Sequence, residues 1–129
     1  MTAYLDTSVL VHAILGTDRR AHDWFAATSA QEPLVSSQLL RLEVTRVLRR
    51  ENLDAADAAE PYLRRIALVS IDDATLAAAA AIPEHLKTLD SIHLATLLRT
   101  DPTATLVTHD NLLATVAAAH GVTTFDPLA

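Results

Sequence analysis

Apolar residues recur at helical spacing in most of the chain and form short continuous runs between the helical segments. The helical pattern is clearest in 38–50, where Leu40, Val44 and Leu48 share one face. The predicted helices are 9–15, 20–29, 38–50, 54–66, 73–81, 89–100 and 111–120. The predicted strands are 4–5, 33–36, 67–71, 105–108 and 122–125.

Polar residues, proline and glycine mark several ends of these elements. Thr7 or Ser8 is predicted to cap the first helix. Pro61 predicts a break or a new first turn within 54–66. Gly121 is predicted to end the last helix.

Strands that alternate with helices predict an α/β domain with a mostly parallel sheet flanked by helices. The chain has 129 residues, half of them hydrophobic, so we expect one domain over 1–129 with an aliphatic core. In such sheets ligands bind at the carboxyl ends of the strands. Residues that directly follow strands are therefore the first candidates for a functional site.

The composition excludes several kinds of site and location. The chain has no cysteine, which excludes disulfides, zinc–thiolate sites and thiol catalysis. Its first residues lack a basic start followed by an apolar run, and no stretch approaches the roughly 18 apolar residues of a membrane span. We therefore expect a cytoplasmic protein with no membrane partner.

The charge balance argues against an obvious nucleic-acid binder. The formal net charge is −6, whereas phosphate contact usually shows as a basic surface. Most of the basic residues are arginines that occur in local clusters, and acids that bind a metal would lower the effective negative charge. The clusters are Arg19 with Arg20, Arg41 with Arg46, Arg49 with Arg50, and Arg64 with Arg65.

Several acids follow predicted strands. Asp6 comes directly after strand 4–5, and Asp110 lies two residues after 105–108, so parallel strands would bring both to one edge of the sheet. Asp72 and Asp126 also follow strands. Because aspartate is a common helix N-cap, position alone leaves capping open for each of them.

Glu43 and Asp90 are harder to explain as surface acids. Glu43 lies at the border of an apolar helix stripe, where an unpaired charge costs several kcal/mol, and a salt bridge to Arg41 or Arg46 is the alternative. Asp90 opens a helix and shares a face with His93, with capping as the alternative. We interpret His93 as a hydrogen-bonded core histidine rather than a metal ligand.

A cluster of carboxylates has one joint explanation. Several carboxylates in one cleft repel each other and cannot all ionise without a cation. Oxygen ligands suit Mg²⁺ or Mn²⁺ better than zinc. Such sites promote phosphoryl displacement, so the acids together indicate metal-assisted phosphodiester chemistry.

Four segments of the chain resemble the motifs of PIN domains, in order and in register from residue 4 to about 125. The segments are 4–11 (YLDTSVLV), 35–37 with 42–44 (VSS and LEV), 89–95 (LDSIHLA) and 107–110 (VTHD). The histidine of the third segment resembles the one seen in VapC-type toxins. The resemblance implies a Rossmann-like three-layer domain.

The resemblance also implies roles for individual residues. Asp6 and Asp90 would bind Mg²⁺ or Mn²⁺ directly, and Asp110 would bind it directly or through water. Glu43 would orient the attacking water or act as base. These four acids would form the catalytic set. Two residues would support them: Ser8 would hydrogen-bond a carboxylate or the phosphate, and Thr108 would brace Asp110.

The implied activity is that of a metal-dependent endoribonuclease toxin of a type II toxin–antitoxin system. Its partners would be an RNA substrate, a VapB-like antitoxin and a second copy in a homodimer. The alternative is a PIN-like domain that binds RNA or protein without cutting, and the presence of all four acids argues against it.

Other classes that begin with a strand and an aspartate fit less well. Haloacid-dehalogenase-like phosphatases need a second aspartate where Ser8 stands, and receiver domains need an acidic pair at Asp6 and a lysine after a late strand. The only lysine, Lys87, precedes a helix. The chain has only two glycines, which excludes the Gly-rich turn of a dinucleotide-binding domain. Its histidines contain no pair at i, i+4, so a histidine zinc site is not indicated.

Overall fold

Helices and strands alternate along residues 2–129, which are the residues that this computed structural model describes. The strands are β1 (Ala3–Leu5), β2 (Leu34–Ser37), β3 (Ile66–Val69), β4 (Thr105–Val107) and β5 (Thr124–Phe125). The helices are α1 (Thr7–Leu15), α2 (Arg19–Ser29), α3 (Gln38–Arg50), α4 (Ala55–Ala58), α5 (Glu60–Leu63), α6 (Asp73–Ala80), α7 (Thr88–Thr100) and α8 (Asn111–Ala119). Within 2–129, no helix is long and apolar enough to cross a bilayer.

All five strands form one parallel sheet in the order β3-β2-β1-β4-β5, which confirms the predicted α/β class. Tyr4 of the central strand pairs with Val35 on one side and Leu106 on the other. The chain builds outward from β1 to β3 and then returns to place β4 on the opposite side of β1. The carboxyl ends of β1 and β4 therefore flank the crevice in which such sheets bind ligands.

The sheet has an apolar core on each face because successive strand residues point to opposite sides. Leu5 and Val107 face the helices of the first half of the chain, where Leu10, Leu40 and Val44 are buried. Their neighbours Tyr4 and Leu106 face α7 and α8. The second core also contains Leu94, Leu97, Leu113 and Val116. The result is the expected three-layer domain.

The segment 54–66 differs from its prediction of a single helix. It forms α4 and α5, and Ile66 begins β3. Pro61 accounts for the break, since proline fits the first turn of a helix but not its interior, and it lies in the first turn of α5. Ile66 pairs with Leu34 in the sheet, so β3 starts one residue before the predicted strand 67–71 and ends two residues before its end.

The predicted cap of the first helix is also wrong. Helix α1 begins at Thr7 and the N-cap position belongs to Asp6, whose side chain makes no capping hydrogen bond. At the other end of the chain Gly121 follows α8 with a φ of 81°, a conformation that favours glycine, as the predicted helix end requires. The carboxylate of Asp6 is therefore held by other groups.

Candidate active site

Four acids line one cleft at the carboxyl edge of the sheet, with a volume of about 360 Å³. Asp6 follows β1 and Asp110 follows β4, the two strands that flank the crevice. Glu43 comes from α3 and Asp90 from the first turn of α7. The structure thus brings together all four acids that the sequence selected, and Ser8 also lines the cleft.

Asp6 is buried, with 4% of its surface exposed, and two hydroxyls hold its carboxylate. Ser8 Oγ donates to Oδ2 over 2.7 Å, and Thr108 Oγ1 donates to the same oxygen over 2.8 Å. Among the hydrogen bonds within 2–129, none ends on Oδ1. Asp6 therefore uses Oδ2 for its own positioning, which leaves Oδ1 without a hydrogen-bond partner among the described residues.

Glu43 is held in the same way. Thr7 Oγ1 donates to Oε1 over 2.7 Å, and His93 Nε2 lies 2.6 Å from the same atom. The alternative of a salt bridge to Arg41 or Arg46 is wrong: Arg41 pairs with Glu60, and none of the ion pairs within 2–129 joins Arg46 to Glu43. The sequence interpretation missed Thr7, whose hydroxyl stands next to Asp6 in the first motif.

His93 connects Glu43 to the core. The ring is fully buried, as the sequence predicted for a core histidine, and its Nδ1 lies 2.9 Å from the Tyr4 hydroxyl. Burial raises the pKa of Tyr4 above its usual range, so this hydroxyl keeps its proton, and we infer that it donates a hydrogen bond to Nδ1. With Nδ1 as the acceptor, Nε2 carries a proton and donates a hydrogen bond to Oε1 of Glu43. We infer a fixed tautomer that orients Glu43.

Asp110 both caps a helix and faces the cleft. Its Oδ1 accepts from the backbone N–H of Leu113 over 3.0 Å, so the capping alternative is correct for this residue. Thr108 Oγ1 accepts from the backbone N–H of Asp110 over 3.0 Å while it donates to Asp6. Thr108 therefore positions Asp110 through its backbone N–H and not through its carboxylate. The same hydroxyl connects the residues that follow β1 and β4.

Burial and neighbouring acids destabilise the charged form of Asp90. The N-cap position of α7 is Lys87, so the capping alternative for Asp90 is wrong. Burial, together with the negative charges of Asp6 and Asp110, raises the pKa of Asp90 to about 6. Lys87 also lines the cleft, but four carboxylates face this single basic residue, so the cleft concentrates negative charge.

The donor chemistry of the cleft fits a hard divalent cation. Its four acids offer carboxylate oxygens, the ligands that Mg²⁺ and Mn²⁺ prefer, and their mutual repulsion favours a bound cation. Across the part of the chain that the structure describes, no group of three acid or histidine side chains lies close enough to hold one ion. The carboxylates thus surround the cleft without forming a closed cage.

We expect Asp90→Asn to stabilise the metal-free protein. The unfolded carboxyl titrates near 3.8 and the folded one near a pKa of about 6, so wild-type stability falls as the pH rises between these values. The full effect would be about 3 kcal/mol, and partial exposure to solvent reduces it to about 1 kcal/mol. Urea unfolding in chelator should show this gain near neutral pH and none below pH ~4.

Asp73→Asn is the matched control for this stability measurement, because Asp73 is an exposed acid in the first turn of α6 and lies outside the cleft. It should give no gain at neutral pH. Equal stability of Asp90→Asn and wild type at both pH values would show that the cleft does not destabilise the charged form of Asp90.

Comparison with known proteins agrees with this architecture. The model of the PIN domain family matches residues 3–125. The curated protein Ribonuclease VapC35 of Mycobacterium tuberculosis is 34% identical over 123 residues, which cover 90% of each chain. Ribonuclease VapC46 of the same organism is 33% identical over 127 residues and 96% of each chain.

Solved structures share the fold at lower sequence identity. The VapBC2 complex from Rickettsia felis, bound to a promoter DNA fragment, has a chain with a TM-score of 0.76 at 12% identity over 98% of both chains. A toxin–antitoxin complex from Klebsiella pneumoniae has one with a TM-score of 0.72 at 20% identity over 97% of both. The family match spans every strand of the sheet and every element of the cleft, and this chain belongs to the PIN domain family.

Proposed function

We propose that this protein is a metal-dependent endoribonuclease and the toxin of a toxin–antitoxin pair. The observation that carries the proposal is the cleft of four carboxylates at the crevice between β1 and β4. Asp6, Glu43 and Asp110 each accept their hydrogen bonds on one oxygen, which leaves the other for a ligand. Relatives named as ribonucleases, similar over 90% of their length or more, support RNA as the substrate.

Asp6, Asp90 and Asp110 would hold the cation, Mg²⁺ or Mn²⁺. When bound, it supplies positive charge that stabilises the negative charge developing on the scissile phosphate. The residues of the chain prepare this place: Ser8 and Thr108 fix the carboxylate of Asp6, and the backbone N–H of Leu113 fixes that of Asp110. Preformed positions keep the entropic cost of assembling the site low.

Glu43 is suited to the role of general base. The attacking water would form a bond from its oxygen to phosphorus, its proton would pass to Glu43, and the bond to the leaving ribose oxygen would break. Thr7 and His93 bind Oε1, so the proton would be accepted on Oε2. The leaving oxygen then takes a proton from solvent, and the products are two shorter RNA strands.

Solved complexes that contain this fold support one of the expected partners. Chains with this fold occur in toxin–antitoxin complexes from Rickettsia felis and Klebsiella pneumoniae, which supports an antitoxin partner for this protein. A VapB-like antitoxin, a homodimer and a cytoplasmic location stay predictions. Co-expression with the neighbouring reading frame and measurement of the mass of the purified complex would test the antitoxin and the dimer together.

The direct test of the activity uses purified protein and total cellular RNA. We expect cleavage at a small number of sites with Mg²⁺ or Mn²⁺ and intact RNA with excess chelator, because the cleft holds negative charge that repels phosphate without a cation. Mapping the new RNA ends would identify the substrate. A folded protein that binds RNA and leaves it intact at every metal concentration would instead favour the non-cleaving alternative.

A further inference from the structure

The basic residues of this acidic protein divide by whether they have an acidic partner. Three arginines form ion pairs: Arg19 with Asp23, Arg20 with Asp18, and Arg41 with Glu60. Within 2–129 the other arginines and the lysine have no such pair, and three of them, Arg46, Arg49 and Arg50, are exposed side by side on α3. Their positive charge is therefore available to a ligand.

The three unpaired arginines line one groove of about 480 Å³, which we call the α3 groove. Its apolar wall includes Leu42 and Leu89, of which 57% and 45% are exposed. The α3 groove also contains Thr7 and Glu43, which line the carboxylate cleft as well. The groove therefore adjoins the cleft and shares part of its wall.

Helix structure alone accounts for part of this arrangement. Arg49 and Arg50 lie in the last turn of α3, where positive charge complements the helix dipole. Arg46 lies one turn earlier, and its natural partner at i−3 is Glu43, which His93 and Thr7 hold instead. Arg46 therefore keeps an unpaired positive charge beside the cleft, although Glu43 lies about one turn away on the same helix.

We propose that a single-stranded segment of the RNA substrate, next to the scissile phosphate, lies in the α3 groove with its phosphates on Arg46, Arg49 and Arg50. This inference rests on the proposed function. The chain has a net charge of −6 and an acidic cleft, so a polyanion needs a local basic wall to approach it. The α3 groove is where unpaired arginines adjoin the carboxylates.

The shape and polarity of the groove favour a single strand. Unpaired bases can pack on exposed apolar side chains such as Leu42 and Leu89, whereas the bases of a duplex are stacked on each other. The volume falls in the range of about 300–1,000 Å³ that accommodates small ligands, which suits one or two nucleotides but not a double helix. The substrate would therefore be cut in a loop, a bulge or a single-stranded end.

Binding can be measured without cleavage by fluorescence anisotropy in chelator, with a labelled, mixed-sequence single-stranded RNA oligonucleotide. We expect the triple variant Arg46→Ala, Arg49→Ala, Arg50→Ala to bind at least about 10-fold more weakly at low salt. The slope of log Kd against log salt should fall by about 2, at about 0.7 for each lost phosphate contact. The matched control of equal charge, Arg19→Ala, Arg64→Ala, Arg99→Ala, should bind close to wild type.

Cleavage then separates this inference from the proposed function. The groove variant should show a raised KM with a kcat near wild type, because the arginines lie beside the reacting groups.

If both triple variants bind RNA equally, the groove is not the RNA path, and metal-dependent cleavage by wild type would still support the ribonuclease. If the same oligonucleotide binds as tightly when annealed into a duplex, the single-strand preference is wrong. A loss of dimer mass in the groove variant alone, with RNA binding unchanged, would identify the groove as a contact between copies.

Discussion

Replacing Asp6 with asparagine is expected to lower RNA cleavage at least about 100-fold, since even groups that only orient metal ligands contribute about 10- to 100-fold. Asparagine keeps the size of the side chain, and its carbonyl oxygen can accept the hydrogen bonds that Ser8 and Thr108 now donate. The change removes the negative charge that would attract the cation. Single-turnover cleavage of a mapped substrate at saturating Mg²⁺ or Mn²⁺ measures the loss.

Asp72→Asn is the matched control for this substitution. Asp72 also follows a strand, but its carboxylate caps α6 through the backbone N–H and hydroxyl of Thr75, both over 2.8 Å, and it does not line the cleft. Asparagine caps helices about as well as aspartate, so activity and stability should both stay near wild type. Cleavage by Asp6→Asn at the wild-type rate, in a preparation free of contaminating nuclease, would place the chemistry outside this cleft.

The contrast between Asp6 and Asp72 shows what the sequence could and could not predict. Local pattern indicates that an acid follows a strand, and it gave Asp6, Asp72, Asp110 and Asp126 the same description. The order of strands in the sheet separates them, because β1 and β4 are neighbours at the centre whereas β3 and β5 form the edges. Strand order depends on pairing between distant segments, so only the motif resemblance selected Asp6 and Asp110 before the structure did.

The helical acids show a second limit. Periodicity correctly placed Glu43 at the border of a buried face, but it suggested a partner on the same helix. The actual partner, His93, is 50 residues away and reaches Glu43 because α3 and α7 both approach the carboxyl edge of the sheet. Local patterns describe the face a residue occupies, and the contacts made there follow from tertiary packing.

A hydrogen-bonded chain runs from Tyr4 in the core through His93 to Glu43 in the cleft. It leads to the second prediction with a large expected effect. We expect His93→Leu to lower kcat about 10-fold or more with little change in KM, because Glu43 would lose the donor that fixes Oε1. The folded state should also lose about 1–3 kcal/mol, since the buried Tyr4 hydroxyl is left without its acceptor. Cleavage kinetics and urea unfolding measure the two effects.

Two further variants distinguish positioning of the base from simple loss of stability. His93→Gln retains an N–H donor at the end of the side chain, so it should recover much of the kcat that His93→Leu loses. Leu97→Ala removes a fully buried side chain of the same helix and should cost about 2–5 kcal/mol without changing kcat below the unfolding transition. A leucine variant as active as wild type, or an alanine variant equally impaired in kcat, would show that His93 stabilises the core and does not position Glu43.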